Sequence, residues 1–425
     1  MALTQSAEIR AQVTELARRA KEGARVLATA STTAKNAVLR RAAAAMREGA
    51  SRGILDANAS DLRLARESGL GPALLDRLTL STERLEGVAD GVESVASLPD
   101  PVGSVSELRV LPNGLRAGRM RVPLGLIGII YESRPNVTAD AASLCIKSGN
   151  AVVLRGGKEA FHSNRALARV FEEALVAEGL PSACVTLLPT TDREATLALV
   201  ALDGIVDVII PRGGESLIRF VAEHSRVPVI RHYKGVCHVF VDSEADLDMA
   251  LEIAVNSKVQ RPGVCNAMET LLVDRACAAE FLPRVAAALL QRDVELRGDA
   301  GVRALVPDVR LATAEDWDTE YLDLVLSVAI VDGIDAALDH VARHGSNHTE
   351  AIVTGSYGKA QRWLREVDAS LVLVNASTRF NDGGELGLGA EMGISTTKLH
   401  CYGPMGLSEL CAQKWIAYGE GQIRR

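Results

Sequence analysis

A cysteine at the junction of a helix and a strand is the residue of this chain best suited to nucleophilic chemistry. Cys265 follows the turn Pro262-Gly263 and precedes an apolar strand, with Asn266 beside it. The turn ends the preceding helix, so the thiol is held by rigid elements and faces open space. Backbone N–H groups and the cations Lys258 or Arg261 would favour the thiolate. We predict that Cys265 is a nucleophile; the alternative is a small buried apolar residue, a common role of cysteine.

Two glycine-containing turns follow predicted strands and could hold phosphate. In Arg155-Gly156-Gly157-Lys158 the glycines permit close backbone approach and two cations supply charge. Pro211-Arg212-Gly213-Gly214 precedes a helix whose N-terminus would attract an anion. Each turn could equally be a tight strand-to-helix connection with solvated charges, and neither is a GxGxxG fingerprint. The predicted cofactor contacts are Arg155, Gly156, Gly157, Lys158, Gly213 and Gly214.

A third candidate site stands where the first strand of the predicted sheet gives way to its helix, at Arg134-Pro135-Asn136. Arg134 could bind a carboxylate or phosphate through two N–H groups, and Asn136 could cap the helix. We predict Arg134, Asn136 and Asn266 as substrate contacts. The histidines show no metal-ligand spacing, so no metal site is predicted.

The elements that must position these residues alternate between strand and helix. In the first half, strands are predicted at 123–131, 151–154, 185–188, 206–210 and 227–230. In the second half they are predicted at 237–241, 270–273, 325–331, 351–354 and 371–374. Strands rich in Val, Ile and Leu, separated by helices of 10–15 residues, indicate parallel sheets covered on both faces. Ligands bind beyond the carboxyl ends of such strands, where both glycine turns lie. We therefore predict two α/β domains, with Cys265 at the start of the second.

The flanking segments have other characters. Residues 5–52 show helical spacing with a break near 31–33, and helical character continues to about Ser97. Ser104–Arg121 contains Pro112-Asn113-Gly114 and is predicted to form a hairpin. The glycine-rich tail from Ser377 is predicted to end in a short helix, Leu407–Ala417.

Composition excludes several classes of function. A chain of 425 residues predicts two or three domains. A net charge of −7 gives no attraction for nucleic acid, and the longest apolar run, Val122–Tyr131, is about half of what a membrane span needs. Glu8 and Arg10 argue against an export signal. Seven widely spaced cysteines without a CxxC pair suit a reducing compartment, so a cytoplasmic location is expected.

Three long segments resemble the gamma-glutamyl phosphate reductases of the aldehyde dehydrogenase superfamily. They read VPLGLIGIIYESRPNVTADAASLCIKSGNAVVLRGG, QRPGVCNAMETLLV and GLGAEMGISTTKLH…GPMGL. The resemblance covers nearly the whole chain from about Ser104 onward. It implies an α/β, aldehyde-dehydrogenase-like fold with two parallel-sheet domains and a small oligomerisation element. The implied parts are a Rossmann-like NADP-binding domain (1–108 and 124–247), a catalytic domain (248–376) and an oligomerisation element (109–123 and 377–425).

The resemblance also implies a reaction, the second step of proline biosynthesis from glutamate. Cys265 corresponds to the family's nucleophile, which would attack L-glutamate 5-phosphate and form a thioester. NADPH would reduce that thioester to L-glutamate 5-semialdehyde. The implied partners are a second copy of the chain, in a dimer or tetramer, and glutamate 5-kinase, which would shield the labile acyl phosphate.

Two features separate this chain from related patterns. Hydrolytic aldehyde dehydrogenases carry a general-base glutamate in a segment comparable to His232–His238, where this chain has no carboxylate. A thioester destined for hydride needs no water-activating base. Within the reductase pattern, Lys158 stands where a serine is common, and Cys401-Tyr402 replaces Ala-Arg.

Two other functions fit parts of the same sequence. The chain could be an acylating aldehyde dehydrogenase that uses another activated acid, such as an acyl-CoA. It could also be a catalytically silent scaffold, although the intact Pro-Gly-Val-Cys-Asn joint favours an enzyme.

Overall fold

The computed structural model describes residues 2–49 and 53–424, which form two compact units. The first unit comprises Met1–Arg231, Gly387–Gly393 and Met405–Arg425, and the second comprises His232–Leu386 and Ile394–Pro404. The helices predicted within 5–52 are present, with the break at the expected place, but residues 50–52 lie outside the described part. No helix among the described residues is long and apolar enough to span a membrane.

The α-helices in the described part of the chain are α1 (Ala2–Leu27), α2 (Thr32–Arg47), α3 (Ile54–Glu67), α4 (Pro72–Leu78), α5 (Thr82–Ser97), α6 (Asn136–Lys147), α7 (Phe161–Ala177), α8 (Arg193–Val200), α9 (Glu215–His224), α10 (Leu247–Val259), α11 (Arg275–Leu290), α12 (Ala300–Leu305), α13 (Gly333–His344) and α14 (Tyr357–Glu366). The β-strands are β1 (Val105–Val110), β2 (Arg116–Pro123), β3 (Leu126–Tyr131), β4 (Ala151–Arg155), β5 (Val185–Leu187), β6 (Val208–Arg212), β7 (Cys237–Val241), β8 (Met268–Asp274), β9 (Glu295–Gly298), β10 (Arg310–Leu311), β11 (Val325–Val331), β12 (Thr349–Val353), β13 (Leu371–Val374), β14 (Ile394–Ser395), β15 (Gly403–Pro404) and β16 (Cys411–Tyr418).

The first unit is built on a parallel sheet with strand order β5-β4-β3-β6. Every residue of β3 is buried, as is nearly every residue of α6, although this helix also carries polar residues such as Thr138 and Lys147. Burying one Leu, Ile or Val side chain contributes roughly 1.5–3 kcal/mol, so this core fixes the strand ends. The prediction of a parallel sheet is confirmed, but Val227–Ile230 contributes only a single bridge, Ile209 to Val229.

The second unit has a parallel sheet with strand order β10-β9-β11-β8-β7-β12-β13. Apolar clusters cover both faces, one containing Phe281 of α11 and the other containing Trp363 of α14. Parallel pairing of β7 with β8 and β12 places the chain from His232 in this unit. By contacts the two units divide at Arg231/His232, whereas the predicted domain boundary lies at 247/248. Cys265 follows one complete strand and helix of its unit.

An antiparallel sheet with order β1-β2-β16 belongs to the first unit. Its β1 and β2 confirm the predicted hairpin. The predicted terminal helix is wrong, because Cys411–Tyr418 pairs along the whole length of β2. A long-range pairing partner outweighs the local sequence pattern here. The tail is also divided: residues 377–386 and 394–404 pack in the second unit and not with this sheet.

Candidate active site

Cys265 lies half-buried in the turn that joins α10 to β8. Residues just before and at the start of β7 pack against the main chain of this turn. A Cβ atom on Gly235 would lie 1.9 Å from the Cys265 carbonyl oxygen, so only glycine fits at this position. The Cys237 thiol donates a hydrogen bond to the same oxygen over 3.2 Å. Burial raises the pKa of Cys237 well above its usual value, so this second thiol stays protonated and remains a donor.

A buried ion pair fastens the two ends of the turn. Lys258, near the end of α10, contacts Glu269 of β8 at 2.6 Å, and their side chains are 0% and 1% exposed. The Leu322 N–H also donates to Glu269, over 3.2 Å. Burial disfavours both charges: it lowers the pKa of Lys258 and raises that of Glu269 to about 7, whereas each partner's charge opposes the shift. The expectation that Lys258 serves the thiolate is wrong, since its ammonium group is bound to Glu269.

An arginine that the sequence reasoning did not single out interacts with Cys265. Arg379 follows β13 and donates from Nε to the Gln260 side chain over 2.8 Å. Burial and the charge of Arg261 lower the pKa of Arg379, whereas Asp382 and Cys265 raise it. Arg379 is therefore a cation near Cys265, and Arg261 lies near Arg379 and in the same turn as the nucleophile. Of these two arginines, sequence reasoning named only Arg261, because that residue is local.

Two histidine rings also reach Cys265. One ring nitrogen each of His232 and His348 and the Cys265 sulfur lie within 4.8 Å of one another. His232 Nδ1 is 2.9 Å from the Ile394 carbonyl oxygen, and His348 Nδ1 is 2.7 Å from Thr349 Oγ1. Burial lowers the pKa of His348 to about 3, so its ring is neutral at physiological pH. These residues are far apart in sequence, and no spacing rule connects them.

Strand order explains why these three residues meet. His232 precedes β7, Cys265 precedes β8 and His348 precedes β12, and these strands are neighbours in the order β8-β7-β12. Residues that precede neighbouring parallel strands lie at one edge of the sheet. The site is thus at the amino-terminal edge of this sheet. Knowledge of the strand order is the one signal that could have located the histidines.

The carboxylates near this edge have other partners. Glu350 accepts from the His238 backbone N–H and from its ring Nδ1, both over 2.9 Å. Glu269 is bound to Lys258 and to the Leu322 N–H. Asn266, predicted as a substrate contact, is 4% exposed and donates to the Asn381 carbonyl oxygen over 2.9 Å. Its side chain ties the turn to residues after β13, and a role in substrate binding stays a prediction.

The other predicted residues lie in the first unit, at the carboxyl ends of β4, β3 and β6. The Arg155 guanidinium donates to the Thr191 and Gly156 carbonyl oxygens, over 2.6 and 3.2 Å, and its Nε is buried without a partner among the described residues. Gly156 is required by packing, since a Cβ there would lie 2.1 Å from Asn164 Nδ2. Gly157 is buried and Lys158 is exposed.

The turn after β6 presents its main chain at the start of α9. The Gly214 N–H donates to the carboxylate of Glu132 over 3.0 Å, and a Cβ on Gly213 would lie 2.4 Å from the same carboxylate. Both glycines are exposed. This helix N-terminus therefore already binds a carboxylate oxygen, which is the kind of contact predicted for a phosphate.

The third predicted site lies after β3. Arg134 is exposed, and Asn136 is the first residue of α6, whose N-cap is Pro135. The predicted capping role of Asn136 is wrong, since its amide donates to Asp140 over 3.0 Å. Burial raises the pKa of Asp140 to about 6, against the opposing effects of Asn136 and Arg212.

Comparison with known proteins identifies the class to which this arrangement belongs. Residues 2–303 match the model of the aldehyde dehydrogenase family. A gamma-glutamyl phosphate reductase from Geobacter metallireducens is 55% identical over 97% of this chain and 99% of its own length. One from Salinibacter ruber is 56% identical over 97% of this chain and 94% of its own length. The crystal structure of gamma-glutamyl phosphate reductase from Thermotoga maritima, 44% identical, superposes with a TM-score of 0.95 and covers 97% of this chain and 100% of its own.

The chain belongs to the aldehyde dehydrogenase family and, within it, to the gamma-glutamyl phosphate reductases. It is an oxidoreductase of a family that uses nicotinamide cofactors.

Proposed function

We propose that the chain reduces L-glutamate 5-phosphate to L-glutamate 5-semialdehyde and phosphate, with NADPH, through a thioester on Cys265. The relatives' shared name supports the substrate. The observation that carries the chemistry is the environment of Cys265. Its thiol is half-buried, and its carbonyl oxygen packs against Gly235 and accepts a hydrogen bond from Cys237. Arg379 and Arg261 are neighbouring cations.

In the first step the Cys265 thiolate attacks the acyl carbon of the substrate. A C–S bond forms, the bond from carbon to the phosphate oxygen breaks, and phosphate leaves with the electron pair. Neighbouring guanidinium groups favour the thiolate and would stabilise the anionic leaving group. The oxyanion on the former carbonyl needs donors, and the backbone N–H of Cys265 is the nearest candidate.

In the second step the thioester is resolved. NADPH, when bound, supplies hydride to the thioester carbon. The C–S bond then breaks, Cys265 leaves again as a thiolate, and the aldehyde is released. Hydrolysis would compete if a carboxylate activated water beside the thioester, but Glu269 is bound to Lys258 and one oxygen of Glu350 accepts from His238.

The residues of the first unit fit a dinucleotide phosphate. The Gly214 N–H donates to a carboxylate oxygen at a helix start, and a Cβ on Gly213 would lie 2.8 Å from the Leu217 side chain. The Glu132 side chain is exposed and can turn away when phosphate takes its place. Lys158 is exposed beside the turn after β4, and we assign it to the extra phosphate that distinguishes NADP from NAD. We thus assign cofactor binding to the first unit, with Arg134 and Asn136 as substrate contacts there.

The sheet β1-β2-β16 is our proposed oligomerisation element. All six residues of its edge strand β1 are exposed, including Leu108 and Val110. An unpaired edge that carries apolar side chains is a template for a second chain, so we propose a homo-oligomer. Transfer of the acyl phosphate from glutamate 5-kinase, in the reducing cytoplasm, would limit its hydrolysis.

The reverse reaction tests the proposal. Phosphate-dependent oxidation of L-glutamate 5-semialdehyde should proceed faster with NADP⁺ than with NAD⁺ and should not respond to coenzyme A. Cys265→Ser should lose well over a hundredfold in rate, because an alkoxide is much harder to form than a thiolate. Near-normal turnover of this variant would exclude Cys265 as the nucleophile, and stimulation by coenzyme A would favour an acyl-CoA substrate instead.

A further inference from the structure

The side chains around Cys265 have the chemistry of a transition-metal site. Thiolate sulfur and imidazole nitrogen are the usual ligands of Zn²⁺, at about 2.3 Å and about 2.0–2.1 Å. One atom of each type from Cys265, His232 and His348 already lies within 4.8 Å of the other two. The three atoms must still move closer together to contact one ion.

The second nitrogen of each ring has a hydrogen-bond partner within the protein. Metal-binding histidines usually donate their other N–H to a carboxylate, a backbone carbonyl or water, which orients the ring. His232 Nδ1 must donate to the Ile394 oxygen, because a carbonyl oxygen only accepts. In the neutral ring this leaves the lone pair on Nε2. His348 Nδ1 is paired with Thr349 Oγ1, and its Nε2 is buried without a hydrogen-bond partner among the described residues.

The field at this edge of the sheet has two parts: helix C-termini favour a cation, whereas the guanidinium groups of Arg379 and Arg261 oppose one. α10 and α13 both end there, at Val259 and His344, and a helix C-terminus carries partial negative charge. His348 is 0% exposed and cannot satisfy its Nε2 with solvent. A bound ion would provide that nitrogen with the partner that the protein does not.

We propose that Cys265, His232 and His348 form a binding site for Zn²⁺ or a similar thiophilic divalent ion. Binding releases the thiol proton and places one sulfur lone pair in a metal–sulfur bond, so the bound thiolate attacks an acyl group more slowly than the free thiolate. A fourth coordination position stays open to water or to a small anion. Metal binding would therefore inhibit the nucleophile reversibly, and removal of the ion would restore its reactivity. Metal binding itself rests on geometry and does not depend on the proposed reaction.

Titration of the chelator-treated full chain with Co²⁺ tests the ligand set. Wild-type protein should bind one Co²⁺ with a thiolate-to-metal charge-transfer absorption, which Cys265→Ser should lack. His232→Gln should weaken binding by about a hundredfold, since loss of a ligand costs at least as much as the 10–100-fold typical of losing a contact behind one. The matched control is His224→Gln, an exposed histidine of the first unit, which should bind Co²⁺ as wild type does. Equal affinity in His232→Gln, or no charge-transfer band in wild type, would overturn the site.

A second measurement needs no variant in the buried part of the cluster. Iodoacetamide labelling of Cys265, followed by peptide mass spectrometry, should slow at least a hundredfold at saturating Zn²⁺ and recover on addition of a chelator. Unchanged labelling would rule out metal binding by the thiol. Equal protection in wild type and His232→Gln would mean that the thiol alone binds the ion, and would overturn the three-ligand site. Neither readout requires turnover, so both stay decisive if the proposed substrate is wrong.

Discussion

The candidate residues of the two units lie at opposite ends of their strands. In the first unit they follow β3, β4 and β6, where helices begin, and they include exposed glycines and the exposed Lys158. In the second unit they precede β7, β8 and β12, where helices end, and they are held by buried contacts such as Lys258–Glu269. Helix starts attract anions and helix ends favour cations. The first arrangement suits a ligand that binds and leaves, whereas the second holds one sulfur atom in place.

Breaking the buried ion pair should give the largest effect on stability. Lys258→Met leaves the Glu269 carboxylate buried without its partner, and we expect a loss of about 3–5 kcal/mol in the free energy of unfolding. Denaturant unfolding followed by far-UV circular dichroism measures the loss. The double variant Lys258→Met/Glu269→Leu removes both charges and should recover most of it. A single variant as stable as wild type would show that the pair does not fasten the turn.

The second-largest effect should be on activity. It should follow from a substitution that moves the Cys265 turn without changing any reacting group. Gly235→Ala places a methyl group against the Cys265 carbonyl oxygen, so the turn must shift. A displacement of about 1 Å costs about a hundredfold in rate, and we expect that loss in kcat with cofactor affinity unchanged. Gly263→Ala is the matched control, since the nearest atom to its Cβ is 3.7 Å away. Equal kcat values for the two variants would contradict the role of Gly235.

The open arrangement of the first unit should respond to a change of charge. Lys158→Met should raise KM for NADPH about tenfold and leave KM for NADH unchanged, because one charge-assisted hydrogen bond of about 1.5 kcal/mol is lost. Lys158→Arg keeps the charge and should retain most of the preference. Steady-state kinetics with both cofactors make the comparison. An equal rise for NADPH and NADH would remove Lys158 from phosphate recognition.

The smallest effect should be a pH dependence in the first unit. The pKa of Asp140 is raised by burial to about 6, so stability is lost as the pH rises from the ordinary pKa of an aspartate through that value. Asp140→Asn removes this loss. When the pH is raised from 5 to 8, the free energy of unfolding of the variant should increase by about 1 kcal/mol relative to that of wild type. Thermal unfolding at both pH values measures the change. A variant that is less stable relative to wild type at pH 8 than at pH 5 would show that folding favours the charged form of Asp140.

The sequence predicted well those helices and strands whose hydrophobic pattern lies within a single segment. Strands Cys237–Val241 and Val325–Val331 have the predicted bounds. The pattern of Leu407–Ala417 suggested a helix, but its pairing with β2 is formed by residues almost 300 positions earlier in the chain. The short strands β9 and β10 were not predicted at all, since two to four residues carry too little periodicity.

The candidate site divides in the same way. The Pro-Gly turn beside Cys265 and the glycine turns after β4 and β6 are contiguous, so their residue types alone indicated a role. No local spacing predicts that His232, His348 and Arg379 lie near Cys265. The strand order brings the two histidines there, and the segment after β13 brings the arginine. Lys258 was misassigned because the acidic partner that binds it stands on a different element, β8.

The exposed edge of β1 also limits how copies of the chain can assemble. A strand that pairs with its own copy in antiparallel fashion does so about a two-fold axis, and the axis relates two chains only. Glu107 adopts a left-handed conformation with φ of 55°, at the irregularity between Ser106 and Arg109. This bulge bends the edge and shortens the length over which a straight partner strand can follow it. Antiparallel pairing of two β1 edges would thus give a symmetric dimer, and a tetramer would require a second, different surface.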